Sequence, residues 1–535
     1  MSLATVAAAS GEDVVPFDIT EAHQPVFAAF VDARRKFGGS RVCVVDVDDS
    51  ERTYDEIFRG ALALGHALKR GTRAGENVGV MLPTGAGAIA TFMALSAYGR
   101  VPAMLNFTSG AAALKSALKT ARVKRVLTAK RFVEMGGFQS LVEELSQHAT
   151  IVYLEDVREN LSVMDKAFAV AGSVLPGLVT KRSAHETPAV ILFTSGTEGE
   201  PKGVALSHTN LLSNVEQVRV HLALYSADIL LNPLPAFHCF GLTVGSLMPL
   251  LLGLKVVCHP TPLAPKEIVG RIKKHKATIL VSTDTFITQY ARVAEPGDLQ
   301  SLRLTVCGAE RLRDETRALL RRKHSIELLE GYGVTEASPV IAANKPGANR
   351  PGTVGLLMAN MKLRLDPVEG IPNAGRLVVR GPNVMLGYLK PETPGAIEPP
   401  PGGWHDTGDI VSVDEDGYIS IKGRMKRFAK IGGESVSLAV VESIASALWP
   451  DFNHAAVTIP DGRKGEQIVL VTTNRDANRH DLTGWAHNHG VSDLAVPRRI
   501  VFVDDVPVLG TGKTDYVSVE KTVKSQIEAA SEAAS

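Results

Sequence analysis

Short apolar runs of strand type alternate with runs of helical type along most of this 535-residue chain. Arg41 to Val47 reads as a strand. Thr53 opens a helix, with Glu56 three residues on as its capping-box partner, and Ile57, Ala61, Leu64 and Leu68 form one apolar face. Val78 to Leu82 reads as a buried strand, followed by a helix through Ala90 and Ala94. Thr278 to Val281, Leu304 to Cys307 and Ile326 to Leu329 are further strands with helices between them. Strands joined by helices favour largely parallel sheets covered on both faces, so the expected fold class is α/β. No internal repeat is visible.

A chain of this length exceeds one ordinary core, and two or more domains are expected. A Pro/Gly-rich loop runs from Pro391 to Gly403. Ile410 to Val413 and Tyr418 to Ile421 then alternate about Asp416-Gly417, the pattern of a hairpin. Beyond it Lys422, Arg424, Lys426, Arg427 and Lys430 crowd together. The division is placed there, giving residues 1–423 as a large N-terminal domain and 424–535 as a small α/β domain.

The net charge of +1 provides no field for nucleic acid or an acidic membrane, and 5% aromatic residues leave few stacking platforms. Cys43, Cys239, Cys258 and Cys307 form no C-x-x-C pair, which suits a reducing, cytoplasmic setting. Met1 to Asp13 lacks the basic and apolar blocks of a signal peptide and reads as a disordered lead-in. Cys239 to Leu254 is uncharged but too short and Gly/Pro-rich for a span, and is expected to be a buried helix beside a pocket.

The chemistry concentrates in Thr194-Ser195-Gly196-Thr197-Glu198-Gly199-Glu200-Pro201-Lys202-Gly203, between the apolar runs Ala189 to Phe193 and Val204 to Leu206. Glycines let backbone N–H groups turn toward an anion, while hydroxyls and a lysine add donors. This is not a Walker A loop, since Lys202 is followed by Gly203 rather than Ser or Thr. Four more segments follow: Gly331-Tyr332-Gly333-Val334-Thr335-Glu336, Trp404-His405-Asp406-Thr407-Gly408-Asp409, Gly423-Arg424-Met425-Lys426 and Pro507-Val508-Leu509-Gly510-Thr511-Gly512-Lys513. Taken singly, a Gly/Ser/Thr loop, a Thr-Gly-Asp turn or a late lysine is ordinary surface.

In this order, the five segments resemble the core motifs of the adenylate-forming enzymes, which include acyl-CoA synthetases, luciferases and peptide-synthetase adenylation domains. The resemblance covers roughly residues 30 to 520. It implies activation of a carboxylate by ATP with Mg²⁺, and a mobile C-terminal lid hinged at Lys426. Residues 194–199 and Lys202 would hold the β- and γ-phosphates. Thr335 would meet the α-phosphate and Glu336 would carry Mg²⁺, a hard cation suited to carboxylate oxygen. Asp409 would take the ribose hydroxyls with help from Arg424. Gly308-Ala309-Glu310 and Tyr332, with Gly331 and Gly333, would flank the adenine. Lys513 would reach the carboxylate and α-phosphate during adenylation. His238 would line the acid's entrance, and Gly241, Gly245, Thr283 and Phe286 would belong to an acyl pocket. The aliphatic run Gly241 to Leu254 would wall that pocket for a long chain.

Two features depart from many relatives. Glu198 places an acid where a hydroxyl is common, and its side chain is expected to point away. Gly432-Gly433-Glu434 stands where CoA ligases often have Gly plus an aromatic or His. Lys426 to Leu438, Gly331 to Val340 and Asp493 to Arg498 most resemble acyl-acyl-carrier-protein synthetases, the ligase half of the bifunctional 2-acylglycerophosphoethanolamine acyltransferases. The acyltransferase signature His-x-x-x-x-Asp is absent, because no histidine has an aspartate five residues later. The expectation is a free-standing fatty acid:acyl-carrier-protein ligase. A long-chain acyl-CoA ligase and an enzyme that stops at acyl-AMP are the alternatives, and a non-catalytic binding protein is the rival from another class. For a carrier protein, Lys422, Lys426, Arg427 and Lys430, with Arg313, Arg321, Arg322 and Lys323, are the candidate basic docking residues.

Overall fold

The computed structural model describes residues 17–179, 183–195, 201–369, 371, 373–431, 434–461, 465–508 and 514–532. Two large sheets dominate the N-terminal part. The nine-stranded sheet runs, edge to edge, Leu356–Leu357, Val340–Ala343, Leu328–Gly333, Leu304–Cys307, Ile279–Ser282, Ile229–Asn232, Lys255–Cys258, Val42–Val45, Glu51–Thr53. Its middle pairs are parallel and its margins antiparallel. The eight-stranded sheet holds Pro188–Ser195 and Pro201–Ser207 beside Val101–Met104, with Gly387–Leu389 on the far side of Pro201–Ser207.

One contiguous apolar core joins both sheets through the helices Tyr54–Leu68, Ala86–Ala97 and His208–Leu222. Strands buried on both faces explain their near-continuous Val/Ile/Leu runs. The capping box forms as the sequence predicts: Glu56 N–H donates to Thr53 Oγ1 at 3.2 Å, and Thr53 N–H to Glu56 Oε2 at 2.7 Å. The hairpin about Asp416-Gly417 also forms, joining His405–Val413 to Ile419–Arg424 in a four-stranded sheet with Lys362–Pro367 and Gly375–Arg380.

After Met425–Arg427 the chain enters a separate small sheet of Phe428–Ile431, Glu434–Ser437, His454–Asp461, Gly465–Thr472 and Arg499–Phe502. Helices Leu438–Leu448 and Tyr516–Glu532 cover it, with cores of their own. The expected α/β class, with a large N-terminal domain and a smaller C-terminal one, is what the molecule has.

Gly331-Tyr332-Gly333 ends a strand, and an added Cβ at Gly333 would lie 2.1 Å from Pro339 O, so only glycine allows that close approach. One expectation is corrected: Lys202 is no loop residue but lies on Pro201–Ser207, directly opposite Thr194 across the antiparallel ladder. The connecting residues 196–200 lie outside the described residues.

Candidate active site

The parallel strands Leu328–Gly333, Leu304–Cys307, Ile279–Ser282 and Ile229–Asn232 lie side by side, so their C-terminal ends share one edge. Ligands of open α/β sheets bind at such an edge. Four sequence-distant segments emerge there: Thr335-Glu336, Gly308-Ala309-Glu310, Thr283, and Pro235 to Gly241. His238, Gly241, Thr283 and Ala309 line one small cavity with Leu234, Pro235 and Phe240. Ala309 has φ of 67°, the left-handed region that a non-glycine residue seldom takes, and this turns the chain sharply off its strand. The Phe240 ring lies 3.4 Å from where a Cβ on Gly308 would be.

Asp409 is buried and accepts twice. Tyr332 Oη–H donates to its Oδ2 at 2.5 Å, and Arg424 Nε–H donates to its Oδ1 at 2.9 Å. The ladder sets the second contact, since Asp409 and Arg424 are register partners. Burial and the adjoining carboxylate hold the Tyr332 phenol far above its usual range, so it stays a donor.

Glu336 follows the strand end, in the short 3₁₀ turn Thr335–Ala337. Its Oε1 accepts from Tyr388 Oη–H at 2.6 Å. The Lys202 ammonium lies 5.7 Å from the centroid of the same Tyr388 ring. Glu336 is near enough to act electrostatically on Tyr388, His405 and Arg424, which makes the two halves one site. Burial pushes the His405 imidazole below its usual range and keeps it neutral. The turn is held from behind by buried amides. Met385 N–H donates to Glu336 O at 2.8 Å, Asn383 Nδ2–H to Ala337 O at 2.7 Å, and Asn214 Nδ2–H to Val340 O at 2.9 Å.

Tyr388 carries no signal in the sequence. It enters because Gly387–Leu389 pairs with Pro201–Ser207, with Tyr388 opposite Val204. His405 lies inside the Trp404 to Asp409 segment, but only its burial indicates a neutral ring.

Other expected residues fall elsewhere. Gly245 faces Asn232, whose side chain lies 2.4 Å from where a Cβ would stand. Phe286 is fully buried in the main core. Phe240–Leu247 is a π-helical segment, and Leu242, Val244 and Leu247, with Met248, Leu250 and Leu254, fill that core rather than wall a long open pocket. Arg427 is no free docking residue, because it pairs with Glu442 at 2.8 Å and lies 3.5 Å from the centroid of the Tyr516 ring. Arg313 is paired with Asp284, and Lys323 donates to the carbonyls of Ala291 and Arg292. Lys426 stands exposed in the turn between sheets. Thr194 is half-buried beside Lys202. Gly196, Thr197, Glu198, Gly199, Lys513 and the Gly432-Gly433 pair lie outside the described residues, and of Ser195 only the backbone is described.

Among the described residues no group of three or more His, Cys, Asp or Glu could hold a metal ion. Glu336 offers a carboxylate bonded to Tyr388, whose ring lies beside Lys202. One carboxylate fits Mg²⁺, which keeps several waters and binds through one or two carboxylates plus substrate phosphates.

Comparison with known proteins gives the chain a family and relatives. The profile of the family described as "AMP-binding enzyme" matches residues 30–389. The medium-chain fatty-acid–CoA ligase of Escherichia coli K12 is 27% identical over 502 residues, covering 90% of this chain and 88% of that protein. A feruloyl-CoA synthase of Amycolatopsis sp. is 30% identical over 478 residues, covering 86% and 92%. ATP-bound MatB from Rhodopseudomonas palustris superposes with a TM-score of 0.79 at 25% identity, over 93% of this chain and 99% of that one.

Proposed function

The chain belongs to the AMP-binding enzyme family, and from that premise we propose that it is an acid–CoA ligase acting on an apolar carboxylic acid, a fatty acid of moderate length. The acid's carboxylate oxygen bonds to the α-phosphorus of ATP as the bond to pyrophosphate breaks. The CoA sulfur then bonds to the acyl carbon, its proton is lost and AMP leaves. The observation that carries this reading is that a small, largely apolar cavity lies at the same sheet edge as Tyr332, which donates to Asp409 of the four-stranded sheet, itself paired with Arg424.

In this reading Asp409 accepts from the ribose hydroxyls, and Gly308, Ala309, Glu310 and Tyr332 flank the base. Lys202 and the residues 194–199 neutralise the outer phosphates. Thr335 donates at the α-phosphate. Glu336, oriented by Tyr388, would hold Mg²⁺, which supplies charge neutralisation on the phosphates. His238, Gly241 and Thr283 bound the acid. Lys513 is the cation of the first half-reaction, carried in by the C-terminal unit, which turns about Lys426.

The carrier-protein acceptor expected from the sequence gives way to CoA. Three of its proposed docking residues are held in internal contacts, and the relatives are named as CoA ligases. The long acyl chain gives way with it, because the residues meant to wall its pocket fill the core.

The test is acid-dependent pyrophosphate release across a series of straight-chain acids and ferulate, followed by thioester formation with CoA or a holo carrier protein. Release with medium-chain acids and CoA thioester as product are expected. No acid-dependent release would sink the reading, and thioester on carrier alone would return the acceptor to the carrier.

A further inference from the structure

The helix Val163–Val174 is apolar on the wrong side. Its buried residues Asp165, Ala169 and Gly172 recur at i, i+4 and i+7 and face the helix Tyr54–Leu68. There Asp165 accepts from His66 at 2.6 Å and from Arg70 at 2.6 and 3.0 Å. The opposite face carries Val163, Ala167, Val170 and Val174 at i, i+4, i+7 and i+11. Val163 is 85% exposed, Val170 64% and Val174 75%, with Met164 at 61% and Leu175 at 56% on the flank. A helix hydrophobic on both faces is ordinarily buried. Contiguous exposed apolar side chains on a folded protein mark a contact surface.

The charges select what it contacts. The helix has two ionic residues, Asp165 and Lys166. The acid is buried and paired with Arg70, so the exposed charge of the helix is basic. Lys69 is exposed beside it, its ammonium 5.8 Å from the ring centroid of Phe168 on this helix. A second protein, or a second copy of this chain, needs about 20–30 residues a side for a stable interface, far more than this strip. A lipid surface needs only an apolar strip edged by Lys or Arg. No described helix is long and apolar enough to cross a membrane, so the contact is a surface one.

We propose that the outer face of Val163–Val174 seats this protein on an anionic lipid surface, with Val163, Val170 and Val174 in the acyl boundary and Lys166 and Lys69 among the headgroups. This goes beyond the ligase reading and does not rest on it.

The experiment is co-sedimentation of the full chain with vesicles of phosphatidylcholine, with and without phosphatidylglycerol. Binding to the anionic vesicles is expected, weakened by salt. Val170→Glu with Val174→Glu should lower the bound fraction about tenfold or more. Lys166→Glu should weaken binding to anionic vesicles only, and Leu263→Glu, at another exposed apolar site, should change nothing. All variants should keep native circular dichroism and unchanged pyrophosphate release with a soluble acid. Absence of vesicle binding by the natural chain, or binding indifferent to the paired valine change, overturns the proposal. So does light scattering that shows a concentration-dependent dimer abolished by the same change, since the occupant would then be a second copy.

Discussion

Asp409 holds a phenol and a guanidinium at once, so both oxygens of this buried carboxylate are hydrogen-bonded. Asp409→Asn removes the charge and leaves Arg424 without its ionic partner. Charge-assisted hydrogen bonds contribute about 1.5–3 kcal/mol, so AMP affinity should fall roughly tenfold to a hundredfold. Isothermal titration with AMP reads this, and unchanged affinity would remove Asp409 from the nucleotide. Two buried histidines make stability depend on acid. Burial, helped by the charge of His185, brings His208 down to about 4, and burial brings His221 to about 4. His208 Nδ1 accepts from Val26 N–H at 3.1 Å, so it must stay unprotonated, whereas His221 Nε2–H donates to Ala343 O at 2.7 Å. A folded-state value below the unfolded one means that the neutral ring is favoured in the native protein. The contribution is therefore full above about pH 6.5 and is lost as pH falls toward 4. At pH 5 each histidine should have cost about 2 kcal/mol, an order-of-magnitude figure. Urea unfolding at pH 7 and pH 5, in the natural chain and in His208→Gln, measures it: the variant should lose less on acidification.

The π-helical segment Phe240–Leu247 shows how one element can mislead a reading made from composition. Its glycines suggest an open lining, yet they serve close packing. Asn232 Nδ2 donates to Gly241 O and Ser246 Oγ, each at 3.1 Å, and its Oδ1 accepts from Leu234 N–H. A Cβ at residue 245 would lie 2.4 Å from that side chain. Gly245→Ala should therefore cost about 1–3 kcal/mol of stability through overpacking. It should not redirect acyl preference, and a normal melting curve with a shifted chain-length profile would contradict this. The turn Met425–Arg427 makes the same point for charge. The basic run there looks like a solvated face, but Arg427 is enclosed by Glu442, Tyr516 and the Ala456 carbonyl. Reversing Arg427 to Glu would bury two like charges together. Breaking such a pair costs about 3–5 kcal/mol, so loss of the fold of residues 428–532 is expected, read by circular dichroism and urea titration. A stable variant with altered acceptor use would restore the docking reading.

At the scale of the molecule, the described residues of the proposed nucleotide site, Lys202, Ala309, Tyr332, Glu336, Asp409 and Arg424, all precede the small C-terminal sheet. A chain ending at Arg424 should thus bind AMP within about tenfold of the full chain. It should show no acid-dependent pyrophosphate exchange, because Lys513 is missing. Retained exchange would remove Lys513 from the first half-reaction. The sequence by itself determined the α/β class, the capping box at Thr53 and the hairpin at Asp416-Gly417. These rest on local periodicity and turn chemistry, which neighbours along the chain supply. It also singled out the residues proposed for the nucleotide, because glycines and donors in consecutive positions are legible along the chain. It did not disclose Tyr388, the neutral His405, the core-filling role of 242–254 or the enclosure of Arg427. Each of these depends on which strands become neighbours and which face of an element meets the core. Tyr388 reaches Glu336 only because a three-residue strand pairs beside Lys202. Only tertiary structure decides burial, and burial is what turns a basic run into a clamp and a histidine into a neutral ring.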